Sequence, residues 1–249
     1  MTAALETRRL MRRFGGLVAT NDVSLTVAAG ARHALIGPNG AGKTTLINLV
    51  TGVIAPTSGA ILLEGTDITR LQPHRRVARG LARTFQINQL FNELTPLETV
   101  GLAISEYQGA GTDWWRPTGS RSSVLDEAAE LLAAFRLGDV ATLRTATLPY
   151  GKRRLLEIVT ALACRPRVLL LDEPAAGVPE GERHEIVDIV AGLPRDVTVV
   201  LIEHDMDMVF RFAERITVLV QGAVFTEGTA AEIQADPRVR EVYLGEGEA

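Results

Sequence analysis

The chain contains 249 residues, of which 46% are hydrophobic and 22% charged, with a mean hydropathy of +0.13. This composition is typical of a globular protein, and the length suits one large domain or a core with a subdomain. The net charge of −4 and the pI of about 5.7 argue against nucleic acid as the main partner, because they provide no overall basic field. Local basic clusters at 8–13 and 74–83 are interpreted as solvated faces or helix ends.

The single cysteine, Cys164, lies in the apolar segment "LEIVTALAC" and is interpreted as a small core residue. One cysteine allows no disulfide within the chain, which favours the cytosol. The N-terminal segment lacks the apolar region of a signal peptide. No apolar run approaches the ~18 residues that a membrane span needs. We therefore expect any membrane association to be peripheral.

Short β-branched runs alternate with helical patterns, which predicts an α/β fold with a buried, mainly parallel sheet. The predicted strands are 23–27, 32–37, 60–65, 81–85, 167–172, 197–203, 215–220 and 223–228. The early strands, and the last pair around Gln221 and Gly222, are more typical of antiparallel hairpins.

The segment "GPNGAGKTT" (37–45) follows a predicted strand and opens a helical pattern. It matches G-x-x-x-x-G-K-[ST], and a chance match in a chain of this length is on the order of 1%. Glycines let the backbone close around a β-phosphate, while N–H groups and the helix N-terminus point at the anion. The predicted nucleotide-binding residues are Gly37, Pro38, Asn39, Gly40, Ala41, Gly42, Lys43, Thr44 and Thr45.

Two side chains of this loop carry further chemistry. Lys43 is predicted to bring a mobile positive charge to the β- and γ-phosphates, and the Thr44 hydroxyl to ligate Mg²⁺. The alternative is a glycine-rich turn with an incidental lysine. Mg²⁺ is the expected metal cofactor.

Between about 90 and 155 no strand is predicted. The pattern at 123–140 predicts an amphipathic helix that packs onto its own domain. Its apolar face is expected to comprise Leu125, Ala128, Ala129, Leu132 and Phe135.

The preceding segment, 109–123, is rich in Gly, Ser, Thr and Pro and is typical of a loop or a partly ordered insertion. Trp114 and Trp115 in this segment either meet a partner surface or pack locally.

The apolar strand "RVLLLDEP" (167–174) ends in two adjacent carboxylates. A buried parallel strand would deliver Asp172 beside the phosphate loop, where it can bind Mg²⁺ through water. Glu173 can accept the proton of an attacking water.

Two further polar residues follow predicted strands: Gln86 after 81–85 and His204 after 197–203. Each is compatible with an ordinary loop residue. Their position at the carboxyl ends of strands, where a nucleotide-binding sheet presents its ligand-contacting groups, favours a functional role.

Together these residues resemble the ATP-binding cassette (ABC) ATPases over essentially the whole chain. The segments that carry the resemblance are "GPNGAGKTT", "RTFQ", "LPYGKRRLLEI" (148–158), "VLLLDEP" and "LIEHD". Within the family, the chain looks most like an ATP-binding subunit of a branched-chain (hydrophobic) amino acid importer. The relevant segments are "RRFGGLVATNDVSL" (12–25), "LARTFQ", "DEPAAG" and "VREVYLG" (239–245).

The resemblance implies a P-loop NTPase (RecA-like) core with an antiparallel β subdomain and an inserted α-helical subdomain. The core would comprise 1–89 and 156–230, the helical subdomain 90–155, and a C-terminal extension 231–249, all within one ABC ATPase domain.

The resemblance also implies ATP as the nucleotide cofactor, and roles for single residues. Phe14 falls where the family stacks an aromatic ring on adenine. Gln86 would link the γ-phosphate and Mg²⁺ to the helical subdomain. Glu173 matches the general base, and His204 the residue that contacts the γ-phosphate and the attacking water.

Read alone, 148–158 predicts a helix start. The resemblance makes 148–152 the signature turn, which binds ATP held by a second subunit, through residues that here include Tyr150 and Gly151. Two positions depart from the family pattern. Pro149 replaces a serine, which removes a hydroxyl and a backbone N–H, and Pro179 stands where a polar residue usually crosses the dimer interface. One lost charge-assisted hydrogen bond, about 1.5–3 kcal/mol, slows a site by one or two orders of magnitude.

These implications predict a peripheral ATPase at the cytoplasmic face of the cell membrane, soluble when isolated, that powers import of a small solute. Its expected partners are membrane permease subunits, a second ABC ATPase subunit in a homo- or heterodimer, and indirectly a periplasmic or extracellular solute-binding protein. A partner subunit with an intact signature would complete the site on this chain's phosphate loop.

Three alternatives remain open at the level of the sequence. The chain is compatible with the motor of a lipid or polysaccharide exporter. A soluble ABC protein of cofactor assembly, repair or translation is disfavoured, since the chain has no coiled-coil insertion, second cassette or basic bias. Pro149 and Pro179 also allow a nucleotide-binding scaffold with poor hydrolysis.

Overall fold

The computed structural model describes residues 2–84, 90–109 and 119–244, apart from the side chains of 119–121, 180, 243 and 244. Its strands are β1 Ala3–Phe14, β2 Leu17–Ala28, β3 Arg32–Ile36, β4 Ser58–Leu63, β5 Thr66–Asp67, β6 Leu81–Arg83, β7 Val168–Asp172, β8 Thr198–Ile202, β9 Arg215–Val220 and β10 Ala223–Gly228. Its helices are α1 Lys43–Thr51, α2 Pro73–Val77, α3 Pro96–Tyr107, α4 Gly119–Ala134, α5 Tyr150–Ala163, α6 Glu180–Ala191, α7 Met206–Phe212, α8 Ala230–Ala235 and α9 Pro237–Leu244, with 3₁₀ turns at Gly138–Val140 and Thr145–Thr147.

A mixed sheet forms the centre of the fold, and its order over the described residues is β10-β9-β3-β8-β7-β6. Its strands pair in parallel except β10, which runs antiparallel to β9. Every residue of β3, β7 and β8 is buried. Continuous apolar runs of this kind suit strands covered on both faces, and two hydrophobic clusters line those faces. The predicted α/β fold with a mainly parallel sheet is confirmed.

A second sheet is antiparallel, in the order β2-β1-β4-β5 within the described chain. The sequence analysis missed β1, because its basic cluster at 8–13 obscures the alternation of buried and exposed positions. Leu5, Thr7 and Leu10 are buried, whereas the Arg8 side chain is exposed. The strand thus places most of the cluster towards solvent, as predicted.

The second basic cluster, 74–83, was also interpreted as a solvated face or helix end, and this is wrong for Arg76. This side chain is only 2% exposed. Its guanidinium donates hydrogen bonds to the carbonyl oxygens of Leu49, Val50, Thr69 and Leu71 at 2.6–2.9 Å. Burial lowers the pKa of Arg76. The residue is therefore an internal brace, which satisfies carbonyls at the end of α1 and in the loop before α2.

The predicted helix at 123–140 is displaced towards the N-terminus: α4 begins at Gly119, inside the segment predicted as a loop, and ends at Ala134. The backbone then turns through Arg136, whose φ is 56°, and the Leu137 N–H closes the helix on the Leu132 carbonyl at 2.8 Å. The predicted apolar face is correct for Ala128, Leu132 and Phe135, which are buried. It is wrong for Leu125 and Ala129, which are exposed. Trp114 and Trp115 lie outside the described residues.

The inserted helices α3, α4 and α5 pack on one another and on one face of the mixed sheet. The boundary predicted at 155 falls inside α5, which runs unbroken to Ala163. The helix that opens in the predicted signature turn is thus continuous with the core. Among the described residues, no helix combines the length and apolarity needed to cross a membrane.

His33 in β3 couples stability to pH. The ring is 1% exposed, and its Nε2 atom lies 2.8 Å from the Thr217 hydroxyl. Burial lowers the pKa of His33 to about 4.

His33 therefore becomes protonated below pH 6.5 in the unfolded chain, but only near pH 4 in the folded chain. The free energy of unfolding is expected to fall by about 1.5 kcal/mol through this group between pH 6.5 and pH 5. Urea unfolding of the His33→Gln variant at both pH values should lack this part of the loss. The exposed His74→Gln variant is the control and should keep it. Equal pH dependence in His33→Gln and the parent would contradict the assignment.

Candidate nucleotide-binding site

The site lies along the edge of the mixed sheet where β3, β8 and β7 end. These strands are parallel neighbours, so their carboxyl ends meet. The segment 37–45 follows β3, Asp172 and Glu173 close β7, and Glu203 and His204 follow β8. Gln86 lies outside the described residues.

The segment 37–42 forms a compact turn that requires glycine at two positions. Gly37 has a φ of 155°, and a Cβ atom there would lie 2.2 Å from the Leu219 carbonyl oxygen. Gly42 has a φ of 95°, and its Cβ would lie 2.5 Å from the Ala19 carbonyl oxygen. The turn is therefore wedged between β9 and the β1–β2 hairpin.

Helix α1 starts at the end of this turn, and Gly42 is its N-cap residue. Gly42 offers no side-chain cap, and the first N–H groups of a helix point out of its N-terminal end, where they can bind an anion. The Thr44 side chain is exposed at the same end. Lys43 Nζ donates to the carbonyl oxygens of Gly37 and Pro38, the latter at 3.0 Å. An ammonium held across the loop is well placed to meet phosphate oxygens.

Asp172 is buried at the end of β7 and forms an ion pair with Arg83. Asp172 Oδ2 lies 2.7 Å from Arg83 Nη2, while Arg83 Nη1 donates to Asn48 Oδ1 on α1 at 2.7 Å. Arg83 thus ties the predicted metal ligand to the helix that follows the phosphate loop. The sequence analysis missed Arg83, whose only signal is a charge inside the apolar strand "LAR".

The donor chemistry of Thr44 and Asp172 fits Mg²⁺. A hydroxyl and one carboxylate are hard oxygen ligands, and Mg²⁺ usually takes one or two carboxylates together with phosphates and waters. Within the described ranges, no three His, Cys, Asp or Glu side chains gather as a metal cage. A metal held here would therefore depend on nucleotide phosphates for further ligands.

Glu173 and His204 meet at the ends of β7 and β8. Glu173 has a φ of 47°, and its N–H donates to the Ile202 carbonyl at 2.9 Å. Its Oε1 atom lies 3.6 Å from His204 Nδ1. The His204 side chain is 64% exposed and the Glu173 side chain 23% exposed, so both groups are accessible from the sheet edge.

Glu203 is a second buried carboxyl group beside His204, and the sequence analysis missed it. Its Oε2 atom lies 3.7 Å from His204 Nδ1 and accepts the His204 backbone N–H at 3.1 Å. Burial raises the pKa of Glu203, and the hydrogen bond from His204 opposes that shift. Its only sequence signal is an acidic residue that ends the apolar strand "TVVLI".

A family model described as ABC transporter matches residues 20–176. The chain belongs to the ABC transporter ATP-binding family. A second model, described as branched-chain amino acid ATP-binding cassette transporter, matches residues 223–249.

Individual relatives cover nearly the whole chain. The branched-chain amino acid transport ATP-binding protein BraF of Pseudomonas aeruginosa is 40% identical over 97% of this chain and 98% of its own. LivG of Escherichia coli K12, a protein of the same description, is 40% identical over 97% and 98%. MJ1267, an ATP-binding cassette of an ABC transporter solved in its ADP conformation, superposes with a TM-score of 0.86 at 31% identity, covering 98% of this chain and 100% of that one. The predicted family and P-loop fold are confirmed.

Phe14 of this cassette lies at the end of β1, with its side chain 45% exposed. The Arg12 guanidinium lies 4.5 Å from the ring centroid. The hairpin that carries Phe14 lies against the phosphate loop, since Ala19 contacts Gly42. Gly222 links the two, because its carbonyl accepts from the Asn21 N–H at 2.7 Å and its own N–H donates to the Ala41 carbonyl at 2.9 Å. Adenine stacking on Phe14 stays a prediction.

The residues predicted to form the signature turn lie at the start of α5, beside the turn that follows Glu173. Pro149 is the N-cap residue, and no described side chain caps this helix. The Tyr150 ring packs on Gly177, and the Glu182 carboxylate lies against Gly151. The start of α5 therefore lacks the serine hydroxyl, and the Glu182 carboxylate already lies at this end of the helix.

Proposed function

We propose that this chain is the ATP-hydrolysing subunit of a membrane importer for branched-chain or other hydrophobic amino acids. The observation that carries the proposal is the placement of the phosphate loop, Asp172, Glu173 and His204 at one sheet edge. The names of the 40% identical relatives support the solute class. They favour import over lipid or polysaccharide export and over a soluble ABC role.

In the proposed reaction, N–H groups of the loop and of α1 bind the β-phosphate, and Lys43 neutralises charge on the β- and γ-phosphates. Mg²⁺ held by Thr44 and Asp172, with Gln86, would stabilise charge on the phosphate oxygens. Glu173 accepts a proton from the attacking water, and His204 orients that water and the γ-phosphate.

In the proposed assembly, a second ABC ATPase subunit faces this one, and each signature turn completes the other subunit's site. Tyr150 and Gly151 serve the partner's nucleotide. The segment 90–155 transmits closure to separate permease subunits at the cytoplasmic face of the membrane. A solute-binding protein delivers cargo outside. The core comprises 1–89 and 156–230, and 231–249 is a C-terminal extension.

Glu173→Gln removes the proton acceptor and leaves the phosphate loop intact. We expect ATP turnover by the full-length chain to fall by about 10²-fold or more, which is the range for loss of a general base. Binding of a fluorescent ATP analogue should stay within about twofold of the parent.

Glu185→Gln is the control, because Glu185 is an exposed carboxylate on α6 that pairs with Arg136 at 2.7 Å. Its turnover should match the parent. Unchanged turnover in Glu173→Gln would contradict the proposed base.

Pro149→Ser restores the hydroxyl and the backbone N–H at the signature turn. Its φ of −54° and ψ of 151° are accessible to serine. Steady-state ATP turnover of the two-subunit complex should rise by about tenfold at the site this turn completes. Pro149→Ala, which restores the N–H alone, should give a smaller gain. Equal turnover in all three proteins would show that the proline does not limit the site.

A further inference from the structure

Arg154 connects the signature helix to the backbone of the proposed base. It lies one turn into α5, and its side chain is 1% exposed. Its Nη2 atom donates a hydrogen bond to the Glu173 carbonyl oxygen at 2.8 Å. Its Nη1 atom forms an ion pair with Glu157 Oε2 at 2.6 Å. The guanidinium is thus oriented by Glu157 and directed at Glu173.

The Glu173 backbone needs such support. A φ of 47° lies in the left-handed region, which is unfavourable for a residue with a Cβ atom and persists only where the surroundings enforce it. Hydrogen bonds hold both peptide groups of the residue: its N–H donates to Ile202, and its carbonyl accepts from Arg154. Because the backbone conformation sets the direction of the side chain, these bonds determine where the carboxylate points.

The first turn of α5 also contacts the segment that follows Glu173. The Tyr150 ring packs on Gly177, and Gly151 lies against the Glu182 carboxylate and Val178. A displacement of α5 would therefore reach Glu173 through a hydrogen bond to its own carbonyl and through the neighbouring turn.

We propose that Arg154 is a positioning residue for hydrolysis: it holds Glu173 in the conformation that directs its carboxylate to the nucleotide, and links it to the helix that opens in the signature turn. The inference rests on the proposed function, in which this turn serves the partner's nucleotide. When this chain's signature turn binds the partner's nucleotide, Arg154 then transmits the change to Glu173, which acts on the nucleotide bound by this chain.

The test uses the full-length chain with the paired substitutions Arg154→Met and Glu157→Leu. A buried ion pair can often be replaced by apolar residues of similar size without loss of stability, whereas removal of one partner leaves a buried charge. We expect the paired variant to keep a melting temperature near that of the parent. Its kcat for ATP should fall by about tenfold or more, with KM within about twofold. A purely structural ion pair would give parental kcat once stability is restored.

Arg154→Lys is the second variant. It keeps a charge for Glu157 but cannot present the planar fork that reaches both acceptors, so kcat should fall by about threefold to tenfold at unchanged KM. Arg165→Met is the control, because Arg165 lies just beyond α5 with its side chain 62% exposed, paired with Glu127 at 2.7 Å. Its kcat and KM should match the parent.

Parental kcat in a folded paired variant would overturn the inference and leave the proposed function intact. If the paired variant does not fold, parental kcat in Arg154→Lys overturns it, and a reduced kcat at unchanged KM supports it. A parent chain without ATP turnover would overturn the proposed function and this inference with it.

Discussion

Parallel pairing of β7 with β8, and of β8 with β3, is the constraint on which the candidate site depends. Asp172 lies opposite Ile202, and the Glu173 N–H reaches the Ile202 carbonyl at 2.9 Å. A slip of one residue would turn every side chain of β7 to the other face of the sheet. The carboxylate of Asp172 would then leave the edge that carries the phosphate loop.

Buried arginines organise the polar groups around this sheet in two ways. Arg32 and Arg76 donate mainly to backbone carbonyls. Arg32 binds carbonyls within 191–197, and Arg76 joins the end of α1 to the loop before α2. Arg83 and Arg154 instead lead to the site, the first to the Asp172 carboxylate and the second to the Glu173 carbonyl. One pair of arginines therefore stabilises the core, and a different pair contacts the residues that we propose bind the metal and accept the proton.

The sequence predicts those strands and loops that are marked by a short, local pattern of residues. The strands at 215–220 and 223–228 match β9 and β10 residue for residue, because short apolar runs are bounded there by turn residues. The phosphate loop follows from the local pattern G-x-x-x-x-G-K-[ST] between a strand and a helix. Strand β1 was missed because its charges sit on the exposed face of a bulged strand, which disrupts the two-residue alternation.

Local sequence patterns do not predict contacts between segments that are distant in the chain. The residues next to Arg76 and Arg154 in the sequence do not predict a buried hydrogen-bond acceptor, because the carbonyls that these arginines bind come from other elements of the fold. The burial of Glu203 is likewise not predictable from the sequence, because it depends on the strands that lie next to β8. The roles of Gln86, Trp114 and Trp115 stay predictions, as these residues lie outside the described ranges.

The central claim is that one sheet edge gathers the groups that bind and hydrolyse ATP. A crystal structure of the Glu173→Gln variant with ATP and Mg²⁺ tests it most directly. We expect the β-phosphate on the N–H groups of 40–44, the metal against the Thr44 hydroxyl on the side of Asp172, and the residue 173 side chain facing the γ-phosphate. A nucleotide bound away from this loop, or a residue 173 side chain directed away from the γ-phosphate, would contradict the account.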